Sequence, residues 1–320
     1  MKLYHLQHIV PFIAHSIIPL LLIAFLWRNP KLSIKSWLFK VSFTVLYLLD
    51  LHISGFLLVY ALGYLGSYFI LILLILSIPG SFVLLMKHRK KLTPQACSKT
   101  KIIRGKIVSF LLIITALFLS WEVLTAISAS RIPTNLFQLK FPLEKGAYLV
   151  LQGGGSILIN HHYPVRAQRF ALDIVKLNKW GLRSKKIFPS ELSDYNIYGE
   201  EVFAPVTGKV IKLVQNCPDR NFNATSSFGP AGNHVFLQTN DHAIVFAHLQ
   251  KGSIQVKEGE SVHEGQLIGK VGNSGNSTEP HLHIHSIALN DDGEYLYEAE
   301  GIPMLFDQTY LVKNKIYLAN

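Results

Sequence analysis

The chain carries the segment PHLHIHSIA at residues 280–288, in which histidines alternate with aliphatic residues. Successive side chains of a β-strand point to opposite faces, so His281, His283 and His285 share one face. Leu282 and Ile284 occupy the other face, which disfavours the alternative of a solvated surface histidine run. Three imidazoles on one face can hold a metal ion and still leave a free base. The segment therefore predicts a core strand that carries a metal or catalytic site.

The residues around this segment have the pattern of an antiparallel all-β domain. Short β-runs punctuated by glycine fill the chain beyond residue 148, and helical periodicity is almost absent. Two polar excursions, at 176–200 and 215–232, interrupt them. Two β-hairpins with glycine-containing turns are predicted, at Val202–Val210 and Val256–Gly272. The predicted strands are Tyr148–Gln152, Ser156–Ile159, Phe170–Val175, Val202–Ala204, Gly208–Val214, His234–Thr239, Ala243–His248, Gln266–Val271 and Leu282–Ala288.

A second group of ligand-type residues precedes the histidine strand by more than 100 residues. Catalytic zinc takes three protein ligands plus water, with histidine and carboxylate as typical donors, so one strand cannot complete the shell. Asp173 lies among apolar neighbours, where a carboxylate is costly unless it is paired or metal-bound. His161 and His162 end an earlier β-run. His162 and Asp173 are the best candidates for further ligands.

These residues, with Phe246-Ala-His248-Leu and Gly275-Asn-Ser-Thr-Glu-Pro-His281-Leu-His283, resemble the lysostaphin-type zinc endopeptidases that cut peptidoglycan peptides. The resemblance covers about residues 148–300. It implies a duplicated hybrid-motif barrel fold, Zn²⁺ as cofactor and peptidoglycan peptides as substrate. It also implies His283 and Asp173 as metal ligands and His281 and His248 as catalytic residues, with the roles of the last two left open.

Two positions depart from the pattern of that family. The usual His-x-x-x-Asp would place a histidine at position 169, where this chain has Arg169. Some relatives instead carry Asn-x-His before a Gln-Arg-Phe-Ala-x-Asp segment, as this chain does at Asn160–His162. His162 is therefore expected to be the first metal ligand, with His161 as the alternative. His285 stands where many relatives carry glutamate, so the contact behind the metal ligands differs.

The amino-terminal part of the chain has a different composition. The protein is 49% hydrophobic with a mean hydropathy of +0.29. Residues 1–130 contain 13 Lys and Arg against two acids, whereas residues 131–320 contain equal numbers of each sign. Apolar runs of about 20 residues predict four transmembrane helices. The predicted spans are Ile9–Trp27, Trp37–Tyr60, Leu62–Met86 and Ile107–Ala129.

Loop charges predict the orientation of these spans. Three basic residues follow the first run and eight follow the third, whereas the second loop has none. The positive-inside rule places the first and third loops in the cytoplasm, so both termini lie outside. The predicted organisation is a membrane domain at 1–130, a linker at 131–147 and a β domain at 148–320. The protein is then an integral membrane protein with an extracytoplasmic carboxy-terminal domain.

The same charge distribution predicts the partners. The excess of basic residues marks membrane topology, so membrane lipids are expected partners and nucleic acid is not, whereas peptidoglycan peptides are the partners that the family resemblance implies. A regulatory protein partner is left unidentified. Two alternatives to an enzyme stay open, namely a degenerate wall-binding or hydrolase-regulating domain and a transporter or sensor that uses Asp50 and His52 in the second span.

Three smaller predictions concern side chains outside the constellation. Cys97 and Cys217 are expected to be free thiols, because they lie in segments of very different polarity. Asn233 and Asn276 are candidates for lining the cleft. His234, His242 and His263 are expected to be groove or surface residues.

Overall fold

The fold was analysed in a computed structural model that describes residues 13, 17–28, 34–54, 63–89, 99–220, 229–289 and 299–320. The predictions at Cys97 and at the amino-terminal end of the first apolar run lie outside these residues. The chain divides into two compact units, built around 5–126 and 127–320.

The amino-terminal half contains four α-helices among the described residues. They are α1 (Ile18–Trp27), α2 (Ile34–Ser54), α3 (Gly63–Arg89) and α4 (Lys99–Ala129). Two segments, Ile34–Ile53 and Tyr68–His88, are long and apolar enough to cross a membrane by length and composition. Ile18–Trp27 and Ile113–Ala129 are shorter apolar stretches. Asp50 and His52 are half-buried near the end of α2. The prediction of four apolar helices agrees with the structure, and their passage through a membrane stays a prediction.

Helices α1, α2 and α3 pack through aliphatic side chains that include Ile23, Leu48 and Ile70. Lys40 is the charged exception in this contact, because only 8% of it is exposed. Its Nζ donates to the carbonyl oxygens of Phe25 (3.0 Å) and Arg28 (2.8 Å). A cation is favourable there, since the last carbonyls of a helix lack partners and carry partial negative charge.

The carboxy-terminal unit consists of β-strands and connecting loops. Its main sheet has nine strands in the order β14-β2-β3-β10-β7-β6-β5-β8, with β11 paired to β10, and each pairing in it is antiparallel. The strands are β1 (Phe137–Leu139), β2 (Gly146–Gln152), β3 (Leu172–Leu177), β4 (Glu201–Phe203), β5 (Gly208–Val214), β6 (Asn233–Gln238), β7 (His242–Leu249), β8 (Ser261–Val262), β9 (Leu267–Lys270), β10 (Leu282–Ala288), β11 (Gly301–Ile302), β12 (Met304–Phe306), β13 (Thr309–Tyr310) and β14 (Ile316–Ala319). The prediction of a mostly antiparallel β domain is confirmed.

Strand β10 lies between β3 and β7, so the histidine strand is in the middle of the sheet. Leu282 and Ile284 are fully buried in the main hydrophobic core, as their alternation with histidine predicts. Phe246 on β7 and Ile174 on β3 join the same core. Buried apolar area stabilises such a sheet by roughly 25 cal/mol per Å². The other face of β10 is left to the histidines.

Two predicted features of the β domain are wrong. Residues 156–159 form turns rather than a strand, because the carbonyl of Ser156 accepts the N–H groups of Ile159 and Asn160. The two predicted hairpins do not close on themselves either. Strand β4 pairs with β9 and β5 pairs with β8, so the segments Val202–Val210 and Val256–Gly272 pair with each other.

Part of the predicted linker 131–147 has regular structure. Strand β1 lies within it and pairs in parallel with β12, with Phe137 opposite Met304 and Leu139 opposite Phe306. Leu139 and Phe306 are both buried in the core of the unit. The structured unit thus begins before the predicted start of the β domain at residue 148.

Candidate metal centre

Three neighbouring strands bring the predicted site residues of the sheet together. His283 on β10 is directly opposite Asp173 on β3 and Ala247 on β7. His281 comes immediately before β10, and His248 lies near the end of β7. The ladder of the sheet therefore fixes these four side chains relative to one another.

His248 has an unusual backbone conformation. Its φ is +59°, in the left-handed region that non-glycine residues rarely adopt, and the β6–β7 register shifts beside it. Its N–H donates to the carbonyl of Ala231 (3.0 Å), and Gly232 and Gly275 pack backbone against backbone next to it. Both glycines have positive φ, and a side chain at either would meet the other's backbone. Such irregularities commonly re-aim a side chain at a functional site.

The loop between β2 and β3 brings His162 to the sheet. Asn160 is fully buried, and its Nδ2 donates to the carbonyl oxygens of Gly154 (3.2 Å), Arg169 (3.0 Å) and Ala171 (3.2 Å). Its Oδ1 accepts the backbone N–H of His162 at 3.1 Å. This one side chain thus closes the loop and orients His162.

The carboxylate of Asp173 is the point at which the two groups of residues meet. His162 Nε2 lies 2.9 Å from Asp173 Oδ2 and 3.1 Å from Oδ1. His283 Nδ1 lies 2.9 Å from Oδ1, and His281 Nε2 lies 3.5 Å from it. His161 is exposed and stacks on His162 with 3.8 Å between ring centroids. His162 is therefore the nearer of the two alternative ligands.

His248 and His281 lie beside these residues and are held in the same tautomer. His281 Nδ1 is 2.8 Å from the carbonyl oxygen of Glu279, and His248 Nδ1 is 2.8 Å from that of Ser274. A carbonyl oxygen only accepts, so both Nδ1 atoms carry a proton, and each Nε2 is an acceptor in the neutral ring and a donor in the protonated one. The two ring centroids are 4.9 Å apart.

His285 stands behind His283. Its Nδ1 lies 3.0 Å from His283 Nε2, and both residues are buried. If His283 uses Nδ1 as a ligand, its Nε2–H donates to His285. Metal-bound histidines usually donate their other N–H to a carboxylate, a carbonyl or water. Here an imidazole takes that place.

The protonation of the centre suits a cation. Burial alone would raise the pKa of Asp173, but the charge of His281 and imidazole hydrogen bonds hold that pKa well below its usual range. Burial opposes a rise in the pKa of His281, yet the Asp173 carboxylate raises it. Burial lowers the pKa of His248, His283 and His285. An ionised carboxylate beside the neutral imidazoles of His248 and His283 is the state in which such side chains bind metals.

Two groups in the described part of the chain have the composition and spacing to hold a metal ion. They are His161, His162 and Asp173, and His248, His281 and His283, each with ligand atoms within 4.8 Å of one another. Asp173 and His283 are also hydrogen-bonded across the two groups, so they form one continuous centre.

Other predicted residues have different roles. Asn233 does not line a cleft, because it is fully buried and its amide bridges Cys217 and Leu249. Cys217 is a buried free thiol, as expected. Asn276 and His263 are exposed. The guanidinium of Arg169 lies over the ring of Tyr163, 5.3 Å from its centroid.

His234 and His242, predicted as groove or surface residues, are half-buried. His234 Nδ1 lies 2.8 Å from the Gly232 carbonyl oxygen, and His242 stacks on Phe137.

One pair of residues close to the site was not identified from the sequence. Arg183 and Glu279 form a buried ion pair near His281. They are 96 residues apart, and only a strictly local pattern is visible in one sequence. Glu279 lies within the Gly275–His283 motif, but the sequence indicated no role for it.

Comparison with known proteins supports the assignment of this domain. Residues 193–294 match Peptidase family M23. The chain is 32% identical over 133 residues to peptidoglycan DD-endopeptidase ShyA of Vibrio cholerae, covering 38% of this chain and 27% of that protein. It is 35% identical over 99 residues to glycyl-glycine endopeptidase ALE-1 of Staphylococcus capitis, covering 30% and 26%. The chain thus spans about a quarter of the length of these relatives.

A solved structure, a zinc-containing peptidase from Vibrio cholerae, is 21% identical with a TM-score of 0.28, covering 47% of this chain and 37% of that one. The family match contains His248, His281 and His283 but not His162 or Asp173. The inclusion of His162 and Asp173 in the candidate centre therefore rests on the geometry described above.

Proposed function

We propose that this protein is a membrane-anchored zinc endopeptidase that hydrolyses peptide bonds of peptidoglycan, in the cross-bridge or the stem peptide, and the match of residues 193–294 to Peptidase family M23 supports this. One observation carries the proposal, namely the convergence of His162 Nε2 and His283 Nδ1 on the Asp173 carboxylate. The relatives named as peptidoglycan and glycyl-glycine endopeptidases support the substrate class.

The donor set fits zinc. Two imidazole nitrogens and one carboxylate are a usual set for a catalytic zinc, with the fourth position left for water. Donor atoms around a tetrahedral zinc lie about 3.3 Å apart, given bond lengths of about 2.0 Å. The nitrogens of His162 and His283 lie 2.9 Å from the oxygens of Asp173. We assign these three residues as the ligands.

Zinc held there supplies a Lewis acid for the scissile carbonyl and lowers the pKa of bound water toward about 7. His281 and His248 present Nε2 as an acceptor beside the ligands, because their Nδ1–H groups are held by backbone carbonyls. One of the two takes a proton from the attacking water and returns it to the leaving amine. The other, when its ring is protonated, donates its Nε2–H to the developing oxyanion.

The amino-terminal helices anchor the domain in this proposal. The four apolar segments cross the membrane, and the basic residues of the first and third loops stay in the cytoplasm. The chain then comprises a membrane domain at 1–130 and an extracytoplasmic peptidase domain whose folded unit already includes β1 at Phe137–Leu139. The site faces the cell wall in this orientation.

The test uses the full-length protein in detergent. We expect about one zinc ion per chain and release of shortened peptides from purified peptidoglycan, identified by mass spectrometry. His162→Ala should lose the metal, whereas His161→Ala should keep it. The opposite result would move the ligand to His161. A wild-type protein that binds no zinc and cuts no peptidoglycan would contradict the enzyme and favour the degenerate wall-binding domain, which Arg169 at the family's usual ligand position keeps open.

A further inference from the structure

A buried ion pair joins the polar segment at 176–200 to Glu279, two residues before His281. Arg183 Nε donates to Glu279 Oε2 at 2.9 Å and to Oε1 at 3.1 Å, and the guanidinium Nη2 lies 2.9 Å from Oε2. The two side chains are only 2% and 11% exposed. A charge this deeply buried is costly unless it is paired with good geometry. In this two-pronged contact both carboxylate oxygens share the Nε–H and the charged Nη2 lies beside Oε2, so the charges are paired and Glu279 is fixed in one orientation.

The excursion is built to hold Arg183 in place. The carbonyl of Arg183 accepts the N–H of Asn196 at 3.0 Å, and Ser184 forms a β-bridge with Tyr195. The guanidinium carbon of Arg183 lies over the Tyr195 ring, 5.8 Å from the ring centroid. Arg183 therefore reaches Glu279 from a backbone that is itself hydrogen-bonded on both sides.

Glu279 connects this pair to His281 through its backbone. Its carbonyl oxygen accepts the Nδ1–H of His281 at 2.8 Å and also the hydroxyl of Ser277 at 2.8 Å. That carbonyl sets the tautomer of His281 and turns its Nε2 toward Asp173. Only Pro280, which restricts the backbone, separates the two residues. An orientation fixed at Glu279 is therefore passed to the imidazole.

We propose that Arg183 is a positioning residue for His281, because its two-pronged contact with Glu279 fixes the carbonyl that holds the His281 ring. The catalytic importance of His281 rests on the function proposed above, but the positioning contact does not. His248 is an internal control for this inference. Its ring is anchored by the carbonyl of Ser274 rather than by that of Glu279.

Histidine labelling tests the positioning without any need for activity. Full-length protein in detergent is treated with diethyl pyrocarbonate, and each histidine is quantified by tandem mass spectrometry. In Arg183→Met, labelling of His281 should rise roughly fivefold as the ring gains freedom, while His248 and the exposed His263 stay unchanged. Arg183→Lys keeps the positive charge but cannot contact both carboxylate oxygens in the same way, so its labelling of His281 should lie between wild type and Arg183→Met.

Two outcomes would overturn the proposal. One is unchanged labelling of His281 in Arg183→Met, and the other is an equal rise at His248, which would indicate general loosening. Should Arg183→Met fail to fold because it strands a buried carboxylate, the double variant Arg183→Met/Glu279→Met removes both charges. Its His281 should also label faster, and equal labelling to wild type would count against the proposal.

A second arm measures hydrolysis. In Arg183→Met, kcat on peptidoglycan fragments should fall by about 10- to 100-fold, because a misplaced catalytic group is slow even when it is present. KM and bound zinc should stay near wild type, since neither depends on His281. A parallel loss of zinc would overturn the positioning role. If wild-type protein cuts nothing, the proposed function fails, while the labelling arm still decides the role of Arg183.

Discussion

The candidate metal centre has two parts that are held by different means. Asp173, His283 and His248 lie on adjacent strands, where the backbone ladder fixes their spacing. His162 lies on a loop whose closure depends on the side chain of Asn160. Many backbone hydrogen bonds share the task in the first part, and one amide performs it in the second. The loop-borne part should therefore be the easier one to break with a single substitution.

Asp173→Ala should have the largest effect, because this carboxylate joins both parts. We expect loss of bound zinc and a fall in hydrolysis of about 1,000-fold or more. Metal analysis and peptide release measure the two effects. Asp241→Ala, which removes an exposed carboxylate beside β7, is the matched control and should behave as wild type. Full zinc occupancy in Asp173→Ala would show that the centre is wrongly assigned.

Substitutions of two buried asparagines should distinguish the support of the loop that carries His162 from the support of the strands. Asn160→Ala should weaken zinc binding by about 10- to 100-fold, since support behind metal ligands has this effect. Asn233→Ala removes the buried partner of the Cys217 N–H and carbonyl and should lower the free energy of unfolding by about 1–3 kcal/mol, with zinc affinity retained. Chelator competition and thermal unfolding measure these changes. Equal zinc affinities in the two variants would remove the distinction.

Alanine substitutions at two glycines, one close to His248 and one elsewhere in the β domain, test the backbone packing around His248. Gly232→Ala places a side chain against the backbone of Ser274 and Gly275 at a φ of +60°, and should lower the free energy of unfolding by about 2 kcal/mol. Gly259 has a φ of +83° but open space around it, so Gly259→Ala should cost only about 1 kcal/mol. Denaturant titration compares them. A larger loss at Gly259 would exclude the close approach as the cause.

The smallest predicted effect is the response of the metal-free protein to pH. Burial lowers the folded pKa of His248, His283 and His285, so the unfolded chain binds more protons below its pKa of about 6.5. Their contribution to stability is present above that value and decreases as the pH falls below it. His281, with a raised pKa, acts in the opposite direction but is one group against three.

Thermal unfolding in EDTA should therefore have a midpoint at pH 5.5 about 3 °C below that at pH 7.5, the shift that roughly 1 kcal/mol produces in a domain of this size. His263→Ala, which removes an exposed histidine, should show the same difference. An unchanged or higher midpoint at pH 5.5 would contradict the burial of neutral imidazoles.

Sequence patterns predicted the parts of the molecule that depend on local alternation. Strand β10 and its histidine face follow from period two, and β5 was predicted with its observed bounds, Gly208–Val214. The false strand at Ser156–Ile159 contains β-formers, but the turn bonds of Ser156 outweigh them. Strands of two to four residues near the carboxy terminus, such as Thr309–Tyr310, are too short to show periodicity.

Pairings between distant segments could not be predicted in this way. The crossed pairing of β4 with β9 and of β5 with β8 replaces two expected hairpins, because strand partners are chosen by the buried faces of the whole sheet. The Arg183–Glu279 pair likewise joins segments 96 residues apart. Within one sequence, no local rule indicates which arginine neutralises which glutamate.

The distance along the chain between Asp173 and His283 has a consequence for biosynthesis. These residues are hydrogen-bonded, although 110 positions separate them. A nascent chain that has emerged only as far as β9 carries His162 and Asp173 but lacks the histidines of the last central strand. Because Asp173 and His283 meet only when β10 pairs with β3, the candidate centre cannot assemble until β10 has been synthesised.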